Sequence, residues 1–352
     1  MSSPPDYLSR HCVGSRLSIS SRLTLLPRLR DASGQPVGWP ESRASGQRLS
    51  FFRFNQRSLR GGIRIGGGMV TYTDPLKIPK ASLGKGSRIP VEVLPDAETL
   101  TRRFADDLHR EYLSAKGSGR DKVVFIIPVG PVGQYDLWAE RCNRERVSLR
   151  DLVLINMDEY LTPDGRDLIP TSDPLSFRRH MADHFYGRLD PDLAPPPAQR
   201  VFPHPGDLST VPRLIETLGG CDACFGGIGI TGHVAFNDPP EPGETVAIET
   251  FRTLPTRVVH LSRETRLINS VTTSRGNIDR IPASAVTVGM KEILDSRKVR
   301  IYMNRIWQSA IVRKILHGPV TAAVPASLLQ EHPDVRFVVT EYVAELPEPA
   351  LA

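Results

Sequence analysis

The sequence predicts an α/β fold, a three-layer sandwich in which helices cover both faces of a mostly parallel β-sheet. Two observations support this prediction. The apolar runs at residues 123–127 and 152–155 show no polar alternation, which is typical of parallel strands buried on both faces. Segments with helical spacing alternate with such runs along the chain, as in a succession of βαβ units.

The first predicted helix, residues 96–113, shows the basis of the assignments. Asp96 is a favourable N-cap, and Leu100, Phe104 and Leu108 recur at spacing four on one face. The other predicted helices are residues 135–142, 175–186 and 210–218. The predicted strands are residues 91–94, 123–127, 152–155, 223–228, 257–261, 286–288, 299–303 and 336–339.

Three loops follow predicted strands, at residues 130–133, 156–160 and 229–238. Ligands bind beyond the carboxyl ends of the strands in open parallel sheets. We therefore expect these three loops to meet around a ligand site.

The loop at residues 229–238 carries the side chains best suited to chemistry. Gly229 and Gly232 permit a tight turn and a close approach by a ligand. His233 with Asp238 nearby is suited to proton transfer near neutral pH. Taken alone, the motif is weak evidence for a site and favours a tight turn whose polar groups cap a helix.

Composition favours a globular protein, with 39% hydrophobic residues. No apolar run approaches the roughly 18 residues of a membrane span. Four cysteines are too few and too scattered for a secreted disulfide scaffold, which indicates a reducing, cytoplasmic compartment. Two of them, Cys221 and Cys224, lack partners for a zinc site and are expected on opposite faces of a buried strand.

The basic residues are concentrated at the start of the chain. The net charge is +6, but residues 1–68 alone carry +8, and the remainder carries −2. This Arg/Ser-rich leader is expected to be disordered, and its composition fits a transit peptide or a nucleic-acid-binding arm. The favoured interpretation is a mis-assigned start, with Met69 as the true beginning and residues 69–352 as a single domain.

Four motifs together resemble the glucosamine-6-phosphate deaminase/isomerase family. They are Asn-Met-Asp-Glu-Tyr at 156–160, the segment 227–239 with its Gly-His-Val-Ala-Phe-Asn-Asp-Pro, and the segments 282–290 and 324–333. The resemblance extends from about residue 91 to 344. It implies the sugar-phosphate isomerase/CoA-transferase type of fold, which the related 6-phosphogluconolactonases share.

The resemblance also implies roles for individual residues. Asp158 would carry a proton between C1 and C2 of an amino sugar, and His233 would open the ring. Asp238 would orient the histidine from a position where the family usually has glutamate, and Thr231 replaces a family aspartate. The residues matched to substrate binding are Gly130, Gly133, Glu159, Gly232, Asn237, Val271 and Gln308. Of these, Asn237 is expected to order the turn more than to contact the substrate. No metal or organic cofactor is implied.

The phosphate-binding residues of the family are missing. Loop 129–133 has proline and valine where the family has glycines and a hydroxyl residue, Val271 replaces an arginine, and Gln308 replaces a lysine. A phosphate without such partners would be costly to desolvate. These losses predict a substrate without the usual 6-phosphate, unless Arg178, Arg179 or Arg305 forms a relocated anion site.

The sequence thus predicts an amino-sugar aldose–ketose isomerase or deaminase. The alternatives are a 6-phosphogluconolactonase-like hydrolase and a non-catalytic sugar-binding protein of the same fold, the latter kept open by Thr231. The expected partner is a small amino sugar or a derivative, with no nucleic acid and no membrane. The resemblance is compatible with a homo-oligomer.

Overall fold

A parallel sheet at the centre of the fold positions the candidate site. The protein's structure, a computed structural model, describes residues 74–348 with their side chains and residues 62–65 and 68–71 as backbone. In chain order, the strands are β1 Gly62–Ile65, β2 Gly68–Thr71, β3 Val91–Leu94, β4 Val123–Ile127, β5 Leu152–Asn156, β6 Asp158–Tyr160, β7 Arg200–Val201, β8 Ala223–Gly226, β9 Arg257–His260, β10 Ser284–Thr287, β11 Val299–Met303 and β12 Val335–Thr340. The α-helices are α1 Ala97–Gly117, α2 Gln134–Glu145, α3 Phe177–Met181, α4 Thr210–Thr217, α5 Ile248–Arg252, α6 Arg263–Thr273, α7 Met290–Leu294, α8 Ser309–His317 and α9 Glu341–Ala344.

The central sheet has seven parallel strands in the order β3-β12-β11-β8-β4-β5-β7. Helices α1 and α2 pack on one face, and α7 and α8 pack on the other. The predicted three-layer α/β fold is confirmed. All described residues belong to one compact unit.

Strand β4 shows why the apolar runs lack alternation. Val123, Phe125 and Ile127 face the cluster formed with α1 and α2, whereas Val124 and Ile126 face the cluster on the other side. All five side chains are fully buried. Because both faces of the sheet are covered, each position of the strand requires an apolar side chain.

Helix α1 begins as predicted and runs four residues further than the predicted end. The Asp96 carboxylate accepts a hydrogen bond from the Thr99 N–H at 2.7 Å and so caps the first turn. Leu100, Phe104 and Leu108 are fully buried against the sheet.

A second, three-stranded antiparallel sheet, in the order β6-β10-β9, lies beside the central one. The chain passes between the sheets at Met157, whose N–H donates to the Ile127 carbonyl at 2.8 Å and whose carbonyl accepts from Val288 N–H at 2.7 Å. Residues 156–160 were predicted to form a loop, and this prediction is wrong for Asp158–Tyr160. The polar sequence resembles a loop, but its pairing with β10 makes it a strand.

Cys221 and Cys224 do not lie as the sequence predicted. Cys221 precedes β8 and lies in the same apolar cluster as Cys224, so the prediction of opposite faces is wrong.

Strands β1 and β2 form an antiparallel pair that spans the predicted boundary at residue 68, while residues 1–61 lie outside the described residues. Among the described residues, no helix combines the length and apolar character needed to cross a membrane.

Candidate active site

A cavity of about 340 Å³ opens at the carboxyl ends of strands β4, β5, β8 and β11. All three predicted loop regions contribute to its wall, through Gly130, Asp158 and Gly229 together with neighbouring residues. Residues after β11, notably Arg305 and Gln308, complete it. The expected convergence of loops around one site is present in the structure.

Asp158 lies in the cavity wall as the first residue of β6, opposite Thr287 of β10. Only 8% of the residue is exposed. Burial, together with the nearby charge of Glu159, raises the pKa of the Asp158 carboxyl to about 8. A carboxyl group with such a pKa can both accept and return a proton near neutral pH.

His233 and Asp238 form a hydrogen-bonded pair, with 2.7 Å between His233 Nδ1 and Asp238 Oδ1. Burial opposes ionisation of Asp238, but hydrogen bonds from His233, Thr265 and Thr231 outweigh it and hold the pKa of this carboxyl well below its usual range. The ionised carboxylate fixes the hydrogen on Nδ1. The opposite nitrogen, Nε2, is therefore left for proton exchange with a ligand.

The absence of a side chain at Gly229 leaves space for the imidazole of His233. The turn is closed by hydrogen bonds from Gly229 N–H to the His233 carbonyl and from Gly232 N–H to the Gly229 carbonyl, each at 3.0 Å. A Cβ on Gly229 would lie 1.9 Å from His233 Nε2, and Gly232 has a φ of +89° that favours glycine. Both glycines are required by the turn that presents His233, but Gly232 does not line the cavity.

Two threonine hydroxyls donate hydrogen bonds to the carboxylate of the His233–Asp238 pair. Thr231 Oγ1 donates to Asp238 Oδ1 at 2.9 Å, and Thr265 Oγ1 donates to the same oxygen at 2.7 Å. Thr231, which replaces the family aspartate, thus binds the partner of the histidine instead of supplying a charge. Sequence reasoning missed Thr265. The Ser262 cap signals the start of α6, but no spacing rule relates position 265 to position 238.

Glu159 and Asn237 were matched to substrate binding by resemblance. In the structure, both side chains form hydrogen bonds with backbone groups. The Glu159 carboxylate is fully buried and accepts hydrogen bonds from the N–H groups of Tyr160, Phe177 and Arg178 and from the hydroxyl of Ser176. Neither residue lines the cavity. The geometry does not support a substrate contact by Glu159.

Asn237 ties the histidine turn to the end of β10. Its amide donates to the carbonyls of Val234 at 2.9 Å and Val288 at 3.0 Å, and its oxygen accepts from Arg257 at 2.6 Å. The side chain is fully buried. Asn237 therefore orders the turn that carries His233.

The remaining matched residues divide between the cavity and its surroundings. Gly130 and Gln308 line the cavity, whereas Gly133 and Val271 do not. Gly133 has a φ of +103° and precedes α2, and Val271 is 58% exposed on α6. Val271, at the position where the family has an arginine, is therefore not part of the cavity wall.

Comparison with known proteins identifies the family of the chain. No protein-family model matches the chain. The glucosamine-6-phosphate deaminase of Bacillus velezensis is 32% identical over 218 residues, which cover 61% of this chain and 83% of that enzyme. That of Rhodopirellula baltica is 30% identical over 269 residues, which cover 73% of this chain and 96% of that enzyme. The chain belongs to the glucosamine-6-phosphate deaminase family.

Solved structures place the chain within the same superfamily of enzymes. A monomeric glucosamine-6-phosphate deaminase of the NagB superfamily superposes with a TM-score of 0.59 at 25% identity, covering 73% of this chain and 99% of that one. A 6-phosphogluconolactonase from Trypanosoma brucei has a TM-score of 0.52 at 16% identity, which shows the shared fold alone. The family predicted from the four motifs is confirmed, and with it the enzymatic class.

Proposed function

We propose that this member of the deaminase family is an amino-sugar aldose–ketose isomerase/deaminase that acts by proton transfer between C1 and C2. One observation carries the proposal: Asp158 and His233 line the same cavity. Asp158 is a buried carboxyl that titrates near neutral pH, and His233 is anchored through Nδ1. The site thus pairs a base with a separate group that acts on oxygen.

The roles follow from the chemistry of the substrate. In the first step, His233 Nε2 moves the proton between the anomeric hydroxyl and the ring oxygen, which opens the ring. Asp158 then takes the proton from C2, while the aldehyde oxygen on C1 gains the proton that the C2 ammonium group loses. Asp158 returns its proton to C1, which leaves a hydroxymethyl group at C1 and an iminium group at C2. General acid–base groups of this kind typically contribute about 10²- to 10⁴-fold to the rate. In a deaminase, water then adds to the iminium carbon at C2, the C–N bond breaks, and the nitrogen leaves as ammonium, which gives the ketose.

The residues of the cavity wall bear on whether the substrate carries a phosphate on C6. The sequence predicts a sugar without the 6-phosphate, and Val129, Pro131 and Val132 in the cavity wall favour that prediction because they offer no side-chain donor. Arg305, in the same wall, argues against it. The relatives named above are described as acting on the phosphorylated sugar.

Deuterium incorporation tests the reaction. The full chain is incubated in D₂O with glucosamine or with glucosamine 6-phosphate, and incorporation at C1 and C2 is followed by proton NMR. We expect incorporation with at least one sugar, and we expect it to be abolished in Asp158→Asn. The exposed Asp279→Asn is the matched control. A folded wild-type protein that exchanges no deuterium into either sugar would refute the reaction.

A further inference from the structure

We infer that Tyr160 and Asn269 together bind one hydroxyl group of the sugar chain, on C3 or C4, and so select the substrates that carry it. The inference rests on the proposed reaction and identifies residues that set its specificity. Both residues line the cavity that also holds Asp158 and His233. Asn269 Nδ2 donates to the hydroxyl oxygen of Tyr160 at 3.0 Å. The two side chains thus meet at the wall of the proposed active site.

The position of Tyr160 in β6 turns its side chain toward the cavity. Asp158 and Tyr160 are two residues apart in the strand, so their side chains lie on the same face of the small sheet. The tyrosine ring packs against Phe177 and Phe236, with centroid distances of 5.0 Å and 5.7 Å, and only 2% of the residue is exposed. The hydroxyl therefore has a fixed position beside the carboxyl proposed for proton transfer.

Helix α6 turns Asn269 toward the same cavity. Thr265 and Asn269 are four residues apart and so lie on one face of the helix, and Thr265 donates to Asp238 in the site. Leu267 and Val271, on the opposite face, are 52% and 58% exposed. The helix thus presents polar side chains to the site and two apolar side chains to solvent, the reverse of an ordinary amphipathic surface helix. Such an inner face suits a polar ligand.

The pair formed by Tyr160 and Asn269 has one donor and one acceptor to spare. A tyrosine hydroxyl can donate as well as accept, and an asparagine amide has an oxygen as well as a nitrogen. Within residues 74–348, the Tyr160 O–H donates to no protein acceptor, and Asn269 Oδ1 accepts from no protein donor. Burial raises the pKa of the Tyr160 hydroxyl above its ordinary value, so the group keeps its proton and remains a donor. A ligand group that both donates and accepts would complete both hydrogen bonds.

A sugar hydroxyl has this pattern of donor and acceptor. It would accept from the Tyr160 O–H and donate to Asn269 Oδ1. Because Asp158 acts at C1 and C2, the hydroxyls on the next carbons, C3 and C4, are the ones that fall beside Tyr160. A sugar without that hydroxyl would leave both protein groups unpaired, which is costly for buried polar groups.

Steady-state kinetics of the full chain test the inference. The parent sugar is whichever of glucosamine and glucosamine 6-phosphate the wild type turns over, and it is compared with its 3-deoxy and 4-deoxy analogues. We expect the wild type to prefer the parent sugar over one analogue in kcat/KM. Tyr160→Phe and Asn269→Ala should each lower that preference by about 5- to 100-fold, because a buried hydrogen bond to the hydroxyl is lost.

Two variants outside the cavity are the matched controls. Tyr112→Phe removes a buried hydroxyl that donates to the Ser148 carbonyl at 2.7 Å, and Asn277→Ala alters an exposed asparagine after α6. Both should keep the wild-type preference. Because Tyr160 and Asn269 would bind the same hydroxyl, the double variant should lose little more preference than either single variant. A purely structural role would lower kcat/KM for all three sugars alike.

The outcomes separate this inference from the proposed reaction. An active enzyme whose preference is the same in Tyr160→Phe, Asn269→Ala and wild type, or whose wild type shows no preference, would overturn the inference and leave the reaction intact. If the wild type turns over neither parent sugar, the reaction fails, and calorimetric titration with glucosamine 6-phosphate and its two deoxy analogues decides the hydroxyl site. A difference in Kd that disappears in Tyr160→Phe supports the site, and equal Kd values or no binding overturn it.

Discussion

Replacing Gly229 by alanine should disable the histidine while leaving its hydrogen-bond partners in place. The new Cβ would lie 1.9 Å from His233 Nε2, 2.2 Å from Cε1 and 2.4 Å from Cδ2. An ordinary contact begins at 3.4 Å, so the imidazole would have to withdraw by about 1.5 Å. Asp238 holds the other side of the ring at 2.7 Å. The ring can move only by stretching that bond or tilting the turn.

The expected loss of activity follows from that displacement. A misplacement of about 1 Å can cost on the order of 100-fold in rate, and we expect kcat/KM of Gly229→Ala to fall by at least about this factor. Overpacking should also lower the free energy of unfolding by about 1–3 kcal/mol. Urea denaturation measures this second effect separately. Gly117→Ala, where an added Cβ meets nothing within 4 Å, is the control for an added methyl group.

A double-mutant cycle tests the assignment to His233. If Gly229→Ala acts by displacing the imidazole, it should have little further effect on activity in a His233→Ala background. A folded Gly229→Ala enzyme whose kcat/KM lies within threefold of wild type would refute the argument. An undiminished effect in the His233→Ala background would show that alanine at position 229 disturbs something else.

Three more predictions concern buried polar groups. Thr265→Val should lower the free energy of unfolding by about 1–3 kcal/mol in urea denaturation, because Asp238 loses a donor, and Thr265→Ser should recover most of it. Asp158→Asn should melt above wild type at pH 8, with the difference vanishing toward pH 4. Because folding raises the pKa from 3.8 to about 8, wild-type stability falls with rising pH over that range, by about 1.4 kcal/mol per pH unit as an upper bound. Glu159→Gln should destabilise the fold by about 3–5 kcal/mol in urea denaturation, because an amide donor would face N–H groups. An unchanged midpoint would contradict any of the three.

The sequence predicted the features that depend on local pattern. The run at Val123–Ile127 is a strand with the predicted bounds, because burial on both faces leaves a continuous apolar signature. Val299–Met303 is also a strand with the predicted bounds, although it contains Arg300. Asp158 and His233 were identified from motifs, and both lie in the cavity. Local pattern was sufficient in these cases because each feature is contained within a few residues of chain.

Features that depend on distant contacts were missed. Asp158–Tyr160 is a strand only because β10 pairs with it, and its own three residues carry no strand pattern. Thr265 reaches Asp238 across 27 residues of chain. Glu159 was matched to substrate binding because it lies in the same motif as Asp158. Its carboxylate instead accepts hydrogen bonds from N–H groups at the start of α3. In each case, a contact between residues distant in sequence decided the structure or the role.

The small sheet has a consequence for how this enzyme family can change. Thr287 pairs with Asp158 in the sheet, and its hydroxyl accepts the N–H of Phe236 from the histidine turn at 3.0 Å. Asp158 and the turn that carries His233, the residues proposed for proton transfer, are thus both held by Thr287. Other parts of the cavity wall lie on separate loops, after β4 and β11. Mutations at distant, independent sites tend to combine additively. Stepwise substitutions in the loops after β4 and β11 can therefore change which group of the substrate is recognised, while the residues proposed for proton transfer stay unchanged.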